Sequence, residues 1–290
     1  MGDGILRTVN SFPRTWQVLV SVVALCVLVL GWLAWSRVRA SGTAEELLRH
    51  APANAEIYAF LDVDLLRRTG LLERLAGARG HEEAEYQRFV TQSGFNYRQH
   101  LDAVVMARRA KAQYAVIAGR FDAAKLEAYA LASAGVCTTG YCYVPGAPPM
   151  SFVPIRAGLY AFASGTGDAR ELLPSHASGV KGDFLGSPIW ATGLGPAEVP
   201  LLQVLPGVER LSLWLTPRLP AVLEVRFALK TRDAQSAGAM AHDLGGLAKV
   251  GELAQYLKDS QFAAEGRSVK GRLPVAMSLV ESLVGRTSAR

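Results

Sequence analysis

LDAVVMARRAKAQYAVIAGRFDAAKLEAYALA, residues 101–132, decides the reading of this chain. Ala103–Ala107 and Tyr114–Ala118 are two β-prone runs separated by the basic turn Arg108-Arg109-Ala110-Lys111. Gly119-Arg120-Phe121 then leads to Asp122, whose carboxylate suits the free N–H groups of a helix start. Leu126, Tyr129 and Ala130 follow at the spacing of one helical face. The unit is strand, strand, helix.

The same order returns about 110 residues downstream. Leu211–Leu215 and Val222–Leu229 are joined by Thr216-Pro217-Arg218-Leu219-Pro220. Lys230-Thr231-Arg232-Asp233 opens a helix carrying Met240, Leu244 and Leu247. Asp102 aligns loosely with Glu209, and Arg120-Phe121-Asp122 with Thr231-Arg232-Asp233, so the repeat is one of pattern at low identity. The expected fold class is α+β: two related halves, each an antiparallel sheet with helices packed on one face.

Around these units, Glu56–Val63 reads as a strand, with Asp64 as the cap of a leucine-rich helix that Gly70 interrupts. Residues 82–92 suit a helix with Tyr86, Phe89 and Val90 on one face. Val136–Val144 and Ser151–Ala163 are strand-like and are separated by the loop Pro145–Pro149. Asp168-Ala169-Arg170-Glu171 has the form of a capping box. Ser268–Val275 reads as a strand, followed by a helix with Met277, Val280, Leu283 and Val284.

Thr15–Ser36 contains no charged residue over 22 positions. As a helix it would reach about 33 Å, enough for a hydrocarbon core of about 30 Å. Trp16, Trp32 and Trp35 stand at its ends, and Arg14 and Arg37 bracket it, which is the pattern of interface anchors. This segment predicts a single transmembrane helix and attachment to the lipid bilayer. A cleaved signal peptide is disfavoured by the length of the apolar run and its terminal tryptophans. The expected organisation is a short tail 1–14, the membrane helix 15–36, a stalk 37–54, a first half 55–173, a linker 174–200 and a second half 201–290.

Half of the chain is apolar, 19% is charged, and the mean hydropathy is +0.17. That excludes a disordered polymer and a disulfide mini-scaffold. Lys plus Arg exceeds Asp plus Glu by 6, and half of that excess lies in the first forty residues. No run of five basic residues occurs, so the composition gives no support to nucleic-acid binding.

Cys26 lies inside the apolar segment, whereas Cys137 and Cys142 flank a Gly-containing turn. Across a hairpin such a pair comes within disulfide reach, and an exported domain would oxidise it. The expected topology is therefore N-terminus in, domain outside the cytoplasm, anchored at a bacterial inner membrane. The flanking arginines do not decide the orientation by count.

No catalytic, cofactor or metal constellation is expected. Asp62 and Asp64 stand at i and i+2 and could share a cation, but read more simply as a strand end and a cap. His81 and Glu85 would be helical neighbours without a third ligand. His50, His100, His176 and His242 belong to no metal motif. Ser164-Gly165-Thr166-Gly167-Asp168 lacks the Lys of a phosphate loop.

In its order of features the chain resembles a family of uncharacterised bacterial single-pass membrane proteins with a two-part α+β domain. The resemblance rests on APANAEIYAFLDVDLLRRTGLL (51–72), YQRFVTQSGFNYRQHLDAVV (86–105), YAVIAGRFDAAKLEAYA (114–130), Ser187-Pro188-Ile189-Trp190 and EGRSVKGRLPV (265–275). It implies an architecture and no activity. The functional expectation is a non-catalytic anchored domain that binds a protein or other envelope partner. The alternative is an anchored enzyme, such as a hydrolase, with Asp62, Asp64, His81 and Glu82 as its only candidates.

Overall fold

Alternation builds the strands. In 112–119, Tyr114, Val116 and Ala118 are buried on one face, while Ala115 and Ile117 turn to the other. The computed structural model of the chain describes residues 42–76, 84–175, 179–199, 202, 205, 207–218, 222–247 and 259–278. The first half runs α1 (Ala44–Leu48), β1 (Ile57–Asp62), α2 (Val63–Arg68), α3 (Leu71–Ala76), α4 (Ala84–Ser93) and α5 (Tyr97–His100). It continues with β2 (Leu101–Arg109), β3 (Ala112–Gly119), α6 (Ala123–Ala132), β4 (Val136–Thr138), β5 (Tyr141–Val144), β6 (Met150–Arg156) and β7 (Leu159–Gly165). Two 3-10 turns, Ala169–Leu172 and Asp183–Gly186, lead to β8 (Ile189–Leu194). Then come β9 (Val208–Arg218), β10 (Val222–Thr231), α7 (Ala234–Leu247), β11 (Gln261–Glu265) and β12 (Ser268–Ala276).

The fold is α+β, with one twelve-stranded sheet in the order β11-β12-β10-β9-β8-β1-β2-β3-β7-β6-β5-β4. Every neighbouring pair is antiparallel. The expectation of a separate sheet in each half is corrected here. Residues 174–200, read as a linker, contain β8, which pairs with β1 on one side and β9 on the other. Trp190 drives this seam. It lies opposite Phe60 and Trp214, is 1% exposed, and stacks on Phe60 with centroids 5.8 Å apart. Gly193 permits the close approach at φ 83°, since a Cβ there would stand 2.0 Å from the Glu56 carbonyl oxygen.

The helices α2, α3, α4, α6 and α7 pack on one face, as patterning predicts. Val63, Leu66, Leu71 and Leu72 meet Leu61, Ile189 and Val225; Leu126 and Ala130 meet Phe152 and Tyr160; Ala237 and Met240 meet Leu229 and Val269. The opposite face carries α1 and the two 3-10 turns over Phe60, Val105, Tyr114, Val116 and Ala161. Leu47 and Leu48 are fully buried there, so the expected stalk 37–54 is core from Ala44 onward. Each such leucine contributes about 1.5–3 kcal/mol by burial.

Asp122 caps α6, accepting from the Lys125 N–H at 3.2 Å. Asp168 and Glu171 form the reciprocal capping box. Gly70, at φ 70°, separates α2 from α3. The cap of α2 is Asp62 rather than Asp64: its Oδ1 accepts from the Leu65 N–H at 2.8 Å, because the strand ends one residue earlier than expected and the helix begins at Val63.

Candidate functional site

Among the described residues, the helix layer stops short of one end of the strands. Along β1, β2, β3 and β7, the cross-strand row Leu61, Val104, Ile117 and Tyr160 lies on the helix face. Two residues along each strand, the next row is Ala59, Met106, Ala115 and Phe162, and beyond it Ile57, Arg108, Gln113 and Ser164. Met150 continues this outer row opposite Ser164. These two rows line an open hollow of about 360 Å³. Its shape follows from side-chain size. Ala59 and Ala115 flank Met106, so the floor drops on either side of a flexible thioether, while Ile57, Phe162 and Met150 form the walls. Met106 is 49% exposed, an unusual position for a large apolar residue at the centre of a sheet.

The polar rim is asymmetric. Arg108 pairs with Glu198, which also accepts from the Gly195 N–H at 2.8 Å. The Arg108 contact holds the Glu198 carboxyl below its ordinary value, with the Gly195 N–H assisting. The Arg108 Nε is itself buried and has no acceptor among the described residues. On the far face of the same strands, Arg109, Tyr114 and Glu171 form a second network, with Arg109 Nη2 donating to the Tyr114 hydroxyl at 2.6 Å. The hollow thus offers a broad apolar surface, a thioether and an aromatic ring, with hydrogen-bonding groups confined to one edge. That arrangement accepts an apolar side chain or alkyl group and orients a polar atom next to it.

The residues singled out from sequence fall elsewhere. Cys137 and Cys142 face each other in the β4–β5 hairpin with Cα atoms 4.1 Å apart and sulfurs at bonding distance. Thr139 and Gly140 both have positive φ, the geometry of a two-residue type I′ turn. Val136 and Tyr143, on the hairpin's other side, are exposed. Asp62 and Asp64 do not share a cation seat: Asp62 caps α2, and Asp64 lies within the helix and pairs with Arg67 and Arg68. Burial raises the carboxyls of Asp62 and Asp102, with Asp64 adding to both. Among the described residues no group of three His, Cys, Asp or Glu is arranged to hold a metal ion.

His81, Glu82, Cys26 and the interface residues Trp16, Trp32, Trp35, Arg14 and Arg37 lie outside the described residues, as does the whole segment 15–36. No helix among the described residues is long and apolar enough to cross a membrane. The hollow has no local sequence signature. The one available signal was a methionine between two alanine-lined strands, where a polar residue would suit a solvated face. No protein-family model, curated protein or solved structure matches the chain.

Proposed function

We propose that this is a membrane-anchored, non-catalytic binding protein, whose hollow beside Met106 docks an apolar segment of an envelope protein. The segment 15–36 supplies the anchor, with the N-terminus in the cytoplasm and the domain outside it. The uncharged run and its tryptophan flanks support the anchor, and the paired cysteines fit an oxidising compartment. The observation that carries the docking proposal is the uncovered row Ala59-Met106-Ala115-Phe162 on a face that helices otherwise cover. Exposed apolar surface beside a polar rim is the usual composition of a partner site.

We also read the two halves as a duplication. What supports this is the matching order on either side of the β1–β8 seam. Each half has three antiparallel strands in sequence order, then a helix, then a meander whose last strand returns beside the third: the four strands β4–β7, with β7 beside β3, and the hairpin β11–β12, with β12 beside β10.

A photo-crosslinking residue at Ala115, with another at half-buried Glu127 of α6 as control, tests the docking proposal in native membranes. A discrete adduct with a second, different protein at 115 and none at 127 is expected. No adduct at 115, or adducts only with lipid or with another copy of this chain, would overturn it.

A further inference from the structure

A second feature lies on the other face of the sheet, over β9, β10 and β12. Glu224 projects there from β10 between Thr216 and Pro274 of the neighbouring strands. Its side chain is only 3% exposed, and three arginines close over it. Arg226 Nε donates to Oε1 at 2.5 Å, Arg218 Nε to Oε2 at 2.8 Å, and Arg272 Nη2 to Oε2 at 2.6 Å.

Neutralising one buried carboxylate requires one guanidinium. Three leave a formal excess of two positive charges, held at fixed positions by one anion. Arg226 and Arg272 also stand directly opposite each other on adjacent strands, a like-charge pairing that destabilises a sheet unless something offsets it. Each arginine spends only one or two of its five N–H groups on Glu224, and the three side chains remain 41–57% exposed. Among the described residues the same face adds Arg210, Lys230 and Lys270, against two further carboxylates: Glu265, which pairs with Lys270, and Asp183 of the second 3-10 turn, whose charge also acts on Lys270. The surrounding field therefore reinforces the excess.

We propose that Arg218, Arg226 and Arg272, positioned by Glu224, form a binding site for a dianionic phosphoryl group. The charge balance fits, since a phosphate monoester carries about −1.5 to −2 near neutral pH. The chemistry fits as well, since forked guanidinium donors match tetrahedral oxyanions in paired hydrogen bonds. Glu224 is a positioning residue: it holds the forks against the sheet and leaves their outer edges for the ligand. The ligand is a phosphomonoester, either free in solution or as the headgroup of a lipid.

The test uses the full chain in uncharged detergent micelles, probed with inorganic phosphate by calorimetry and with phosphatidic acid against phosphatidylcholine by native mass spectrometry. Saturable binding of phosphate or phosphatidic acid, but not phosphatidylcholine, is expected. Phosphate binding at comparable strength identifies a free ligand, and retention of phosphatidic acid alone identifies a headgroup. R226Q/R272Q should weaken binding about tenfold or more, the equivalent of one charge-assisted hydrogen bond, while Arg218 still covers Glu224.

V222E provides a variant that breaks no existing ion pair. Val222 is 37% exposed and directly opposite Arg218, so a carboxylate there competes with the ligand without disturbing the core. It too should weaken binding about tenfold at an unchanged melting temperature. Absence of binding to both probes, or equal binding by wild type and V222E, would overturn the proposal.

Discussion

Replacing Glu224 with Gln isolates what the carboxylate does for the fold. The two side chains have nearly the same shape, so the loss should be one of charge. In the folded protein, burial alone would raise the Glu224 carboxyl, but the N–H groups of Arg218, Arg272 and Arg226 outweigh it and lower the carboxyl from 4.5 to about 2. A displacement of that size corresponds to about 3 kcal/mol of folding stability at neutral pH. Solvent screening of the half-exposed guanidiniums reduces this to about 2–3 kcal/mol.

The folded value lies below the unfolded one, so the contribution is fully present above about pH 4.5 and is lost as pH falls toward 2. Urea denaturation of wild type and E224Q at pH 7, 5, 4 and 3 measures it directly. The expected gap is about 2–3 kcal/mol at pH 7, nearly the same at pH 5, and less than half by pH 3. A gap that does not change with pH would refute the reasoning, because it would mean that Gln disturbs packing rather than removing a charge. A gap near zero at pH 7 would equally refute it, because three arginines would then be held without the carboxylate.

Two further predictions concern the seam and the hairpin. Gly193→Ala forces a side chain into a left-handed backbone position and against the Glu56 carbonyl. It should cost about 2 kcal/mol or more and raise hydrogen exchange of the β1 and β8 amides first; uniform exchange across the sheet would count against the seam as the weak point. In intact cells, a membrane-impermeant thiol reagent should label Cys137 and Cys142 only after reduction; labelling without reduction, or none after it, would remove the oxidising-compartment argument.

Much of the local structure was legible because local chemistry decides it. The strand-strand-helix unit, the Asp122 cap, the Asp168–Glu171 box and the Cys137–Cys142 hairpin each follow from residues a few positions apart. The boundaries of β2 and β3 extended beyond the expected runs, because cross-strand pairing recruits their ends: Leu101 pairs with Gly119, Arg108 with Ile57, and Ala112 with Gly165. What was missed depends on distant partners. β8 is six residues in a Gly-, Pro- and Ser-rich stretch, and only Phe60 and Trp214 make Trp190 a core residue. β11, Gln261–Glu265, has little β character of its own and pairs along the edge of β12. The hollow lies where the helix layer of the described residues ends. The arginine cluster draws on three strands and 55 positions of sequence (218–272), so by composition it appears only as a mild basic excess.

The position of β1 has a consequence for synthesis. It is the first of the described strands to be made, yet it sits at the centre of the sheet, between β2 some 40 residues later and β8 some 130 residues later. As the chain emerges from its N-terminus, β1 through β7 can pair first, and β1 is then a bare edge with unsatisfied N–H and C=O groups facing outward. That edge, carrying Tyr58 and Phe60, persists until Trp190 arrives to cover it. Such an edge is a template for pairing with another nascent chain. Anything that slows delivery of residues 189–194 should therefore show up as aggregation during production, even in a chain whose finished sheet is stable.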